Sequence, residues 1–192
     1  MDTAIMEPPG ETALASRAAT EPAAFAPIYD HYFSRVYNYI RYRVRRPDVT
    51  DDLTALTFER ALANIGTFDP ERAEFTTWLF AIARNAVNDH LRAGKRTKWV
   101  SLQWLQGRSS EAPRADELLV GAERRHRLLA AVGRLSPREQ DILSMKFAAG
   151  QTNRQIAGLT GLGESNVGVI LYRAIRKLRK GLDDEEQIHA RR

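Results

Sequence analysis

Between Gln151 and Lys180 the sequence permits one local structure and excludes most others. Thr152 to Leu159 reads as a short helix carrying Ile156 and Ala157. Thr160-Gly161-Leu162-Gly163 closes it, and a longer basic helix runs from Glu164 to Lys180. A short helix, a glycine-containing turn and a basic second helix specify a helix-turn-helix. On the second helix Val167, Leu171, Ala174 and Leu178 share a narrow face and belong in the core. Ala157 is small enough to let the two helices approach, and Leu162 plugs the turn. Ser165, Asn166, Val169, Arg173 and Arg176 point away from that core.

A recognition helix presents such outward residues to the major groove, with its N-terminal part nearest the base edges. Asn166 can pair with an edge and Val169 can meet a thymine methyl. Arg173, Arg176, Lys177 and Lys180 suit phosphates, which position without specifying. Arg154, on the short helix, joins this set. The plainer alternative is a solvated basic helix with no DNA role, and the short helix and turn before it count against that.

Charge supports the same reading. The whole chain is +5, yet residues 126–180 alone carry +7, the footprint of a polyanion binder. Arginine outnumbers lysine 24 to 5, which favours planar contacts to phosphates and bases. Cysteine is absent, so disulfides, thiolate metal sites and cysteine nucleophiles are excluded. His31, His90, His126 and His189 lack metal-ligand spacing. The glycines at 158, 161 and 163 lie inside the helix-turn-helix rather than after a strand, so they form no phosphate loop. No cofactor, metal or catalytic role is expected. No apolar run approaches the roughly 18 residues that span a bilayer. Residues 1–24 have neither a basic start nor an apolar stretch, so they do not read as a signal peptide; a cytoplasmic protein is expected.

The remainder reads as helices too. A length of 192 residues allows one medium domain or two small ones. Residues 1–24 show no sustained periodicity and read as a flexible leader. Phe25, Tyr29, Tyr32, Phe33, Val36, Tyr37, Ile40 and Val44 then recur at helical spacing, and Arg45-Arg46-Pro47 ends that helix. A second helix is expected from about Thr50 to Gly66, and residues 67–74 form a loop. A third helix turns Phe75, Trp78, Leu79, Ile82 and Ala86 inward, leaving Thr77, Arg84, Asn88 and Lys95 on a wet, cationic face. Residues 96–117 read as a linker between domains, although Trp99, Leu102, Trp104 and Leu105 also suit a helical extension or a docking segment. Leu118, Leu119, Ala122, His126, Leu129 and Val132 suggest the next helix. Ser136-Pro137-Arg138-Glu139 is a capping box that starts another, with Ile142, Leu143 and Phe147 as its apolar side.

In this order of parts the chain resembles the extracytoplasmic-function sigma factors of bacterial RNA polymerase. Four stretches carry the likeness: Phe25 to Val44, Asp51 to Leu62, Phe75 to Asn85 with its Thr77-Trp78-Leu79 and Ile82-Ala83-Arg84-Asn85, and the helix-turn-helix. The resemblance implies an all-α chain of two small helical domains joined by an extended linker: leader 1–24, a region 2-like domain at 25–95, linker 96–117, a region 4-like domain at 118–180 and a tail at 181–192. It implies core RNA polymerase as partner, with Asp51, Asp52, Thr54, Ala55, Leu56, Phe58 and Arg60 meeting the clamp helices of the largest subunit and the second domain resting on the flap of the second-largest. Promoter DNA is the other partner, and many relatives are also held by an anti-sigma factor. The resemblance places a flipped non-template base in a pocket made by the loop Phe68 to Ala73 with Asp69 and Arg72, lined by Ile82 and Asn85, while Arg84, Asn88, Arg92, Lys95 and Arg96 follow the single strand. The upstream element falls to the recognition helix. The chain departs from the family at Ala55-Leu56, where Gln-Glu is frequent, at Pro70 in the loop, and at Gly168 and Ile170, where Lys and Arg are frequent. A helix-turn-helix regulator with a helical sensor domain is the competing reading; the aromatic, cationic segment 68–96 is what a duplex-only reader does not need.

Overall fold

The computed structural model describes residues 10–100 and 127–189, with side chains placed at 10–94 and 127–182, and every regular element among them is helical. In chain order these are α1 (Glu11–Ala18), a 3-10 turn (Pro22–Phe25), α2 (Ala26–Val44), α3 (Pro47–Ala63), a second 3-10 turn (Ile65–Thr67) and α4 (Phe75–Val100). A helical segment at 127–133, α5, precedes α6 (Pro137–Phe147), α7 (Asn153–Thr160) and α8 (Glu164–His189).

Local chemistry explains the boundaries. Arg45 ends α2 in the left-handed conformation, φ 56°, its N–H donating to the Arg41 carbonyl. Pro47 then opens α3 at the first helical position, where a missing N–H costs nothing, so this helix starts three residues before the expected Thr50. Its buried threonines look polar in the sequence but are satisfied internally: the hydroxyls of Thr54 and Thr57 each donate 2.7 Å to the carbonyl four residues back. Ser136 caps α6 and Thr152 caps α7, each in a complete capping box.

α2, α3 and α4 form one bundle around Ile28, Tyr32, Ile40, Leu53, Phe58, Leu79, Phe80 and Val87. Several expectations change here. The N-terminal segment is structured from residue 11. Ala15 and Ala18 are buried in the bundle, and the Glu11 carboxylate accepts from the Tyr32 hydroxyl, which also contacts the Thr76 hydroxyl at 2.8 Å. An alanine face carries little apolar periodicity, which is why it read as a leader. α4 continues through residues 96–100, which moves the start of the linker and favours, at Trp99, the helical extension over the docking segment; Leu102, Trp104, Leu105, Leu118, Leu119, Ala122 and His126 lie outside the described residues. α8 likewise runs on to His189, into the expected tail. Tyr29 and Phe33 are exposed, and Phe147 is 64% exposed rather than part of the α6 core face.

The larger difference concerns the two modules. They do not stand apart: Ile142, Met145 and Ala149 of the second pack with Ile156, Val167 and Leu171 into the same continuous core as α2–α4. Among the described residues, Val132, Leu135, Leu143 and Ala174 make a separate cluster.

Candidate nucleic-acid interface

α8 has the buried and exposed faces that the sequence pattern predicts. Val167, Leu171 and Ala174 are buried and Leu178 is half-buried, while Ser165, Asn166, Arg173 and Arg176 are exposed. Gly161, at φ 71°, ends α7 and turns the chain into α8. Arg154 is exposed at the start of α7. Val169 is 46% exposed, and Tyr172, which the sequence reading passed over, is 69% exposed three residues further along. That i, i+3 spacing from Val169 was the available signal. Lys177 is tied to its own domain: its ammonium donates 2.6 Å to Glu139 Oε1 on α6. Burial pushes the Glu139 carboxyl up, but hydrogen bonds from Lys177 and from the Ser136 backbone N–H outweigh it and hold it below the usual carboxylate range.

The region assigned to the single strand divides in two. Phe68 is half-buried, its ring 5.2 Å from Phe75 and 5.6 Å from Trp78. The loop that follows is a compact turn in which Asp69 accepts from the Glu71 N–H at 3.0 Å and pairs with Arg72 at 3.3 Å. Trp78, Ile82, Asn85 and Arg92 follow the same stripe of α4 from this loop. Asn85 and Arg92 are exposed, with Arg92 held loosely, 3.5 Å from Asp89. This stripe is open. Lys95 and Arg96 lie outside the residues whose side chains are described.

Arg84 and Asn88 occupy the neighbouring stripe, which is not the wet face expected. The second module covers it. Arg84 Nε donates 2.9 Å to Asp141 Oδ2 of α6, and its Nη1 donates 2.7 Å to the Leu159 carbonyl at the end of α7. Arg43 Nη2 donates 3.3 Å to Asn88 Oδ1, Nη1 donates 3.1 Å to the Pro137 carbonyl, and Nε lies 3.3 Å from Asp141 Oδ1. The Tyr39 hydroxyl donates 3.0 Å to Asp141 Oδ1; burial, and then the Asp141 charge, push this phenol far up, so it remains a protonated donor. Arg35 stacks 5.0 Å over the Tyr32 ring and donates to the Ala149 carbonyl. Arg43, Arg84, Asn88, Pro137 and Asp141 line a cleft of about 300 Å³ in the seam between the modules. Asp141 escaped the sequence reading because nothing around it on α6 signals a partner on α2 or α4.

On α3 the polymerase-facing set also divides. Asp51, Asp52, Ala55 and Arg60 are exposed and Leu56 is half-buried. Thr54 and Phe58 are not surface residues. Both are buried, and Phe58 packs within an aromatic cluster whose nearest ring, Tyr29, lies at 4.6 Å. α3 is covered on that side by α2, so these two hold the helix in place rather than meeting a partner.

Residues 28–97 match the family described as Sigma-70 region 2, and residues 125–178 match Sigma-70, region 4. The chain is 37% identical over 168 residues to the ECF RNA polymerase sigma factor BldN of Streptomyces coelicolor, covering 87% of this chain and 63% of that relative's length. It is 29% identical over 170 residues to the ECF sigma factor RpoE of Cereibacter sphaeroides, covering 86% of this chain and 90% of that one. Among solved structures, CnrH in complex with the cytosolic domain of CnrY has a similar fold, at TM-score 0.66 and 23% identity over 90% of this chain and 96% of that one. So does the sigma factor RpoE in complex with the anti-sigma factor NepR from Bartonella quintana, at TM-score 0.69 and 18% identity over 83% and 96%. With both signature segments matched in order, with the recognition helix and the aromatic loop in place, the chain belongs to the extracytoplasmic-function class of the sigma-70 family.

Proposed function

We propose that this chain is a promoter-specificity subunit: it joins core RNA polymerase, reads an upstream element as duplex through α8, and helps open a downstream element through the Phe68 loop and α4. The observation that carries this is the coexistence of two unlike nucleic-acid surfaces in one chain. A duplex reader needs only the α7–α8 unit. The Phe68–Trp78 aromatic step beside Asn85 and Arg92 suits an unstacked base and the phosphates next to it, and the region 2 match over 28–97 counts against a simple regulator with a sensor domain.

In this mechanism Ser165, Asn166 and Val169 meet base edges, while Arg154, Arg173 and Arg176 bind phosphates. The exposed Asp51, Asp52, Ala55 and Arg60 form the polymerase-binding side of α3, with Leu56 at its edge and the clamp helices of the largest subunit as the partner; the flap of the second-largest subunit takes the second module. No bond chemistry is assigned to the chain. No described helix is long and apolar enough to cross a membrane, and the reading implies work in the cytoplasm, beside the polymerase. An anti-sigma factor, of the kind bound to RpoE in the solved complex with NepR, belongs to the same proposal. Run-off transcription with purified core polymerase on a genomic promoter library tests it. The chain should direct discrete starts that core alone does not make; silence at every start would refute the reading.

A further inference from the structure

We infer that Val169 and Tyr172 read the 5-methyl groups of two successive thymines, so that the upstream element this chain selects carries a pair of neighbouring thymines on one strand. The inference rests on the duplex-reading role proposed above for α8 and names the sequence which that role selects.

At about 100° per residue, Ser165, Val169, Tyr172 and Arg176 fall within an arc of about 60°. All four are exposed, opposite the buried Val167, Leu171 and Ala174. A single exposed apolar residue needs no explanation. Two of them on the outermost line of a helix, between a polar first turn and a row of cations, make a patterned surface. Stability does not account for the pair, since valine and tyrosine are poorer helix formers than the lysine, arginine or glutamate that suit an idle outward face.

The charges around the pair select its partner. From Glu164 to Tyr172 α8 has no lysine or arginine, and its cations begin at Arg173. Arg154 stands at the start of α7, whose Asn153 lies beside Gly168 of α8. Arg154, Arg173 and Arg176 are all exposed, so a polyanion is drawn to this face while its centre stays apolar. In the major groove a guanine is read by an arginine fork or a lysine, an adenine by an amide, and a thymine by an apolar side chain on its methyl group. The leading turns of a recognition helix lie nearest the base edges; here they offer Asn166, Val169 and Tyr172, and no cation. Three residues of helix rise about 4.5 Å, against about 3.4 Å between base pairs, so Val169 and Tyr172 reach neighbouring pairs.

Deoxyuridine differs from thymine only in lacking that methyl, so the test leaves the protein untouched. The full-length chain, assembled with purified core polymerase, selects from a duplex library randomised upstream of a start found by run-off. The selected duplexes should share two successive thymines. Replacing either one by deoxyuridine should weaken binding about fourfold, the worth of one buried carbon. Val169→Ala should erase the loss at one of the two positions and Tyr172→Ala the loss at the other, whereas Tyr172→Phe should keep it. Arg173→Ala should weaken thymine and deoxyuridine duplexes alike. A selected element without successive thymines overturns the inference. So does equal binding of thymine and deoxyuridine duplexes, or a methyl dependence that survives both alanine variants; in each case a sequence-specific start in run-off leaves the proposed function standing. Silence in run-off refutes that function and this inference together.

Discussion

α4 and α8 are both long helices with a cationic outward stripe, yet they end in opposite conditions. The outward residues of α8 meet solvent, because that helix buries its other side within its own module and on the shared core. α4 buries Phe75, Leu79, Ala83 and Val87 against α2 and α3, and then loses a second stripe to α6 and α7. The difference teaches that surface charge on a helix wheel marks what a helix can bind and leaves open what already binds it. A charge stripe is available only where the rest of the chain supplies no counter-charge, and Asp141 supplies one for α4.

The strongest way to break this comparison is to remove a charge on each side. Arg43 and Asp141 are 4% and 9% exposed at the side chain, and Asp141 keeps Arg84 and Tyr39 when Arg43 is lost. Arg43→Met should therefore cost about 1.5–3 kcal/mol of stability in urea denaturation, the range for hydrogen bonds to charged groups. Arg173→Ala, on the exposed face of α8, should stay within about 0.5 kcal/mol of the wild type. Equal losses would mean that the seam carries no more energy than an ordinary surface.

The second way compares function rather than stability. Replacing Arg173 and Arg176 together with Ala should weaken upstream-duplex binding and lower the slope of log affinity against log salt by about 2, roughly one per phosphate contact. Asn85→Ala on the open stripe of α4 should leave both polymerase association and that slope unchanged while reducing open-complex formation, read by permanganate footprinting. An unchanged slope for the arginine pair would remove α8 from the phosphates.

How much of this was legible follows from the same contrast. The recognition helix could be read because both its buried and its exposed residues are explained within some thirty neighbouring positions. The capping box at Ser136 was equally local in kind, whereas the one that Thr152 makes with Gln155 went unread. Phe58 and Thr54 were misplaced because α3 carries buried threonines whose hydroxyls bond their own backbone, which blurs the apolar stripe. The covered face of α4 was illegible in principle from the helix itself, since its partner charge lies 57 positions along the chain from Arg84. The polar tie from Glu11 to Tyr32, 21 positions apart, was hidden for the same reason.

A smaller test asks how α8 is held to its own module. Ser136→Ala removes the hydroxyl that accepts from the Glu139 N–H at 3.3 Å and should cost about 1 kcal/mol. The Glu139 carboxyl, held low by Lys177 and the Ser136 N–H against the opposing effect of burial, adds stability above its unfolded pKa. That contribution should fade as the pH falls through the folded value. Lys177→Met should erase this acid-dependent part, seen as a flatter midpoint-versus-pH curve at the acid end. A salt slope for duplex binding that drops as well would show that Lys177 serves the phosphates in addition to the carboxylate.

The smallest expected effect sharpens the comparison from inside the helix. α8 carries a glycine, Gly168, between the buried Val167 and the outward Val169, where a helix gains nothing from backbone freedom. A Cβ added there would meet only the Asn153 side-chain nitrogen, at 3.9 Å, an ordinary contact. Gly168→Ala should therefore stabilise the second module by up to about 1 kcal/mol, the propensity difference between the two residues. Gly94 in α4 has open space around its Cβ position and should respond in the same direction. If the seam holds both modules as one body, each substitution should raise a single unfolding transition. If instead Gly168→Ala moves one of two separable transitions, the modules unfold independently and α4 owes less to Asp141 than its geometry demands.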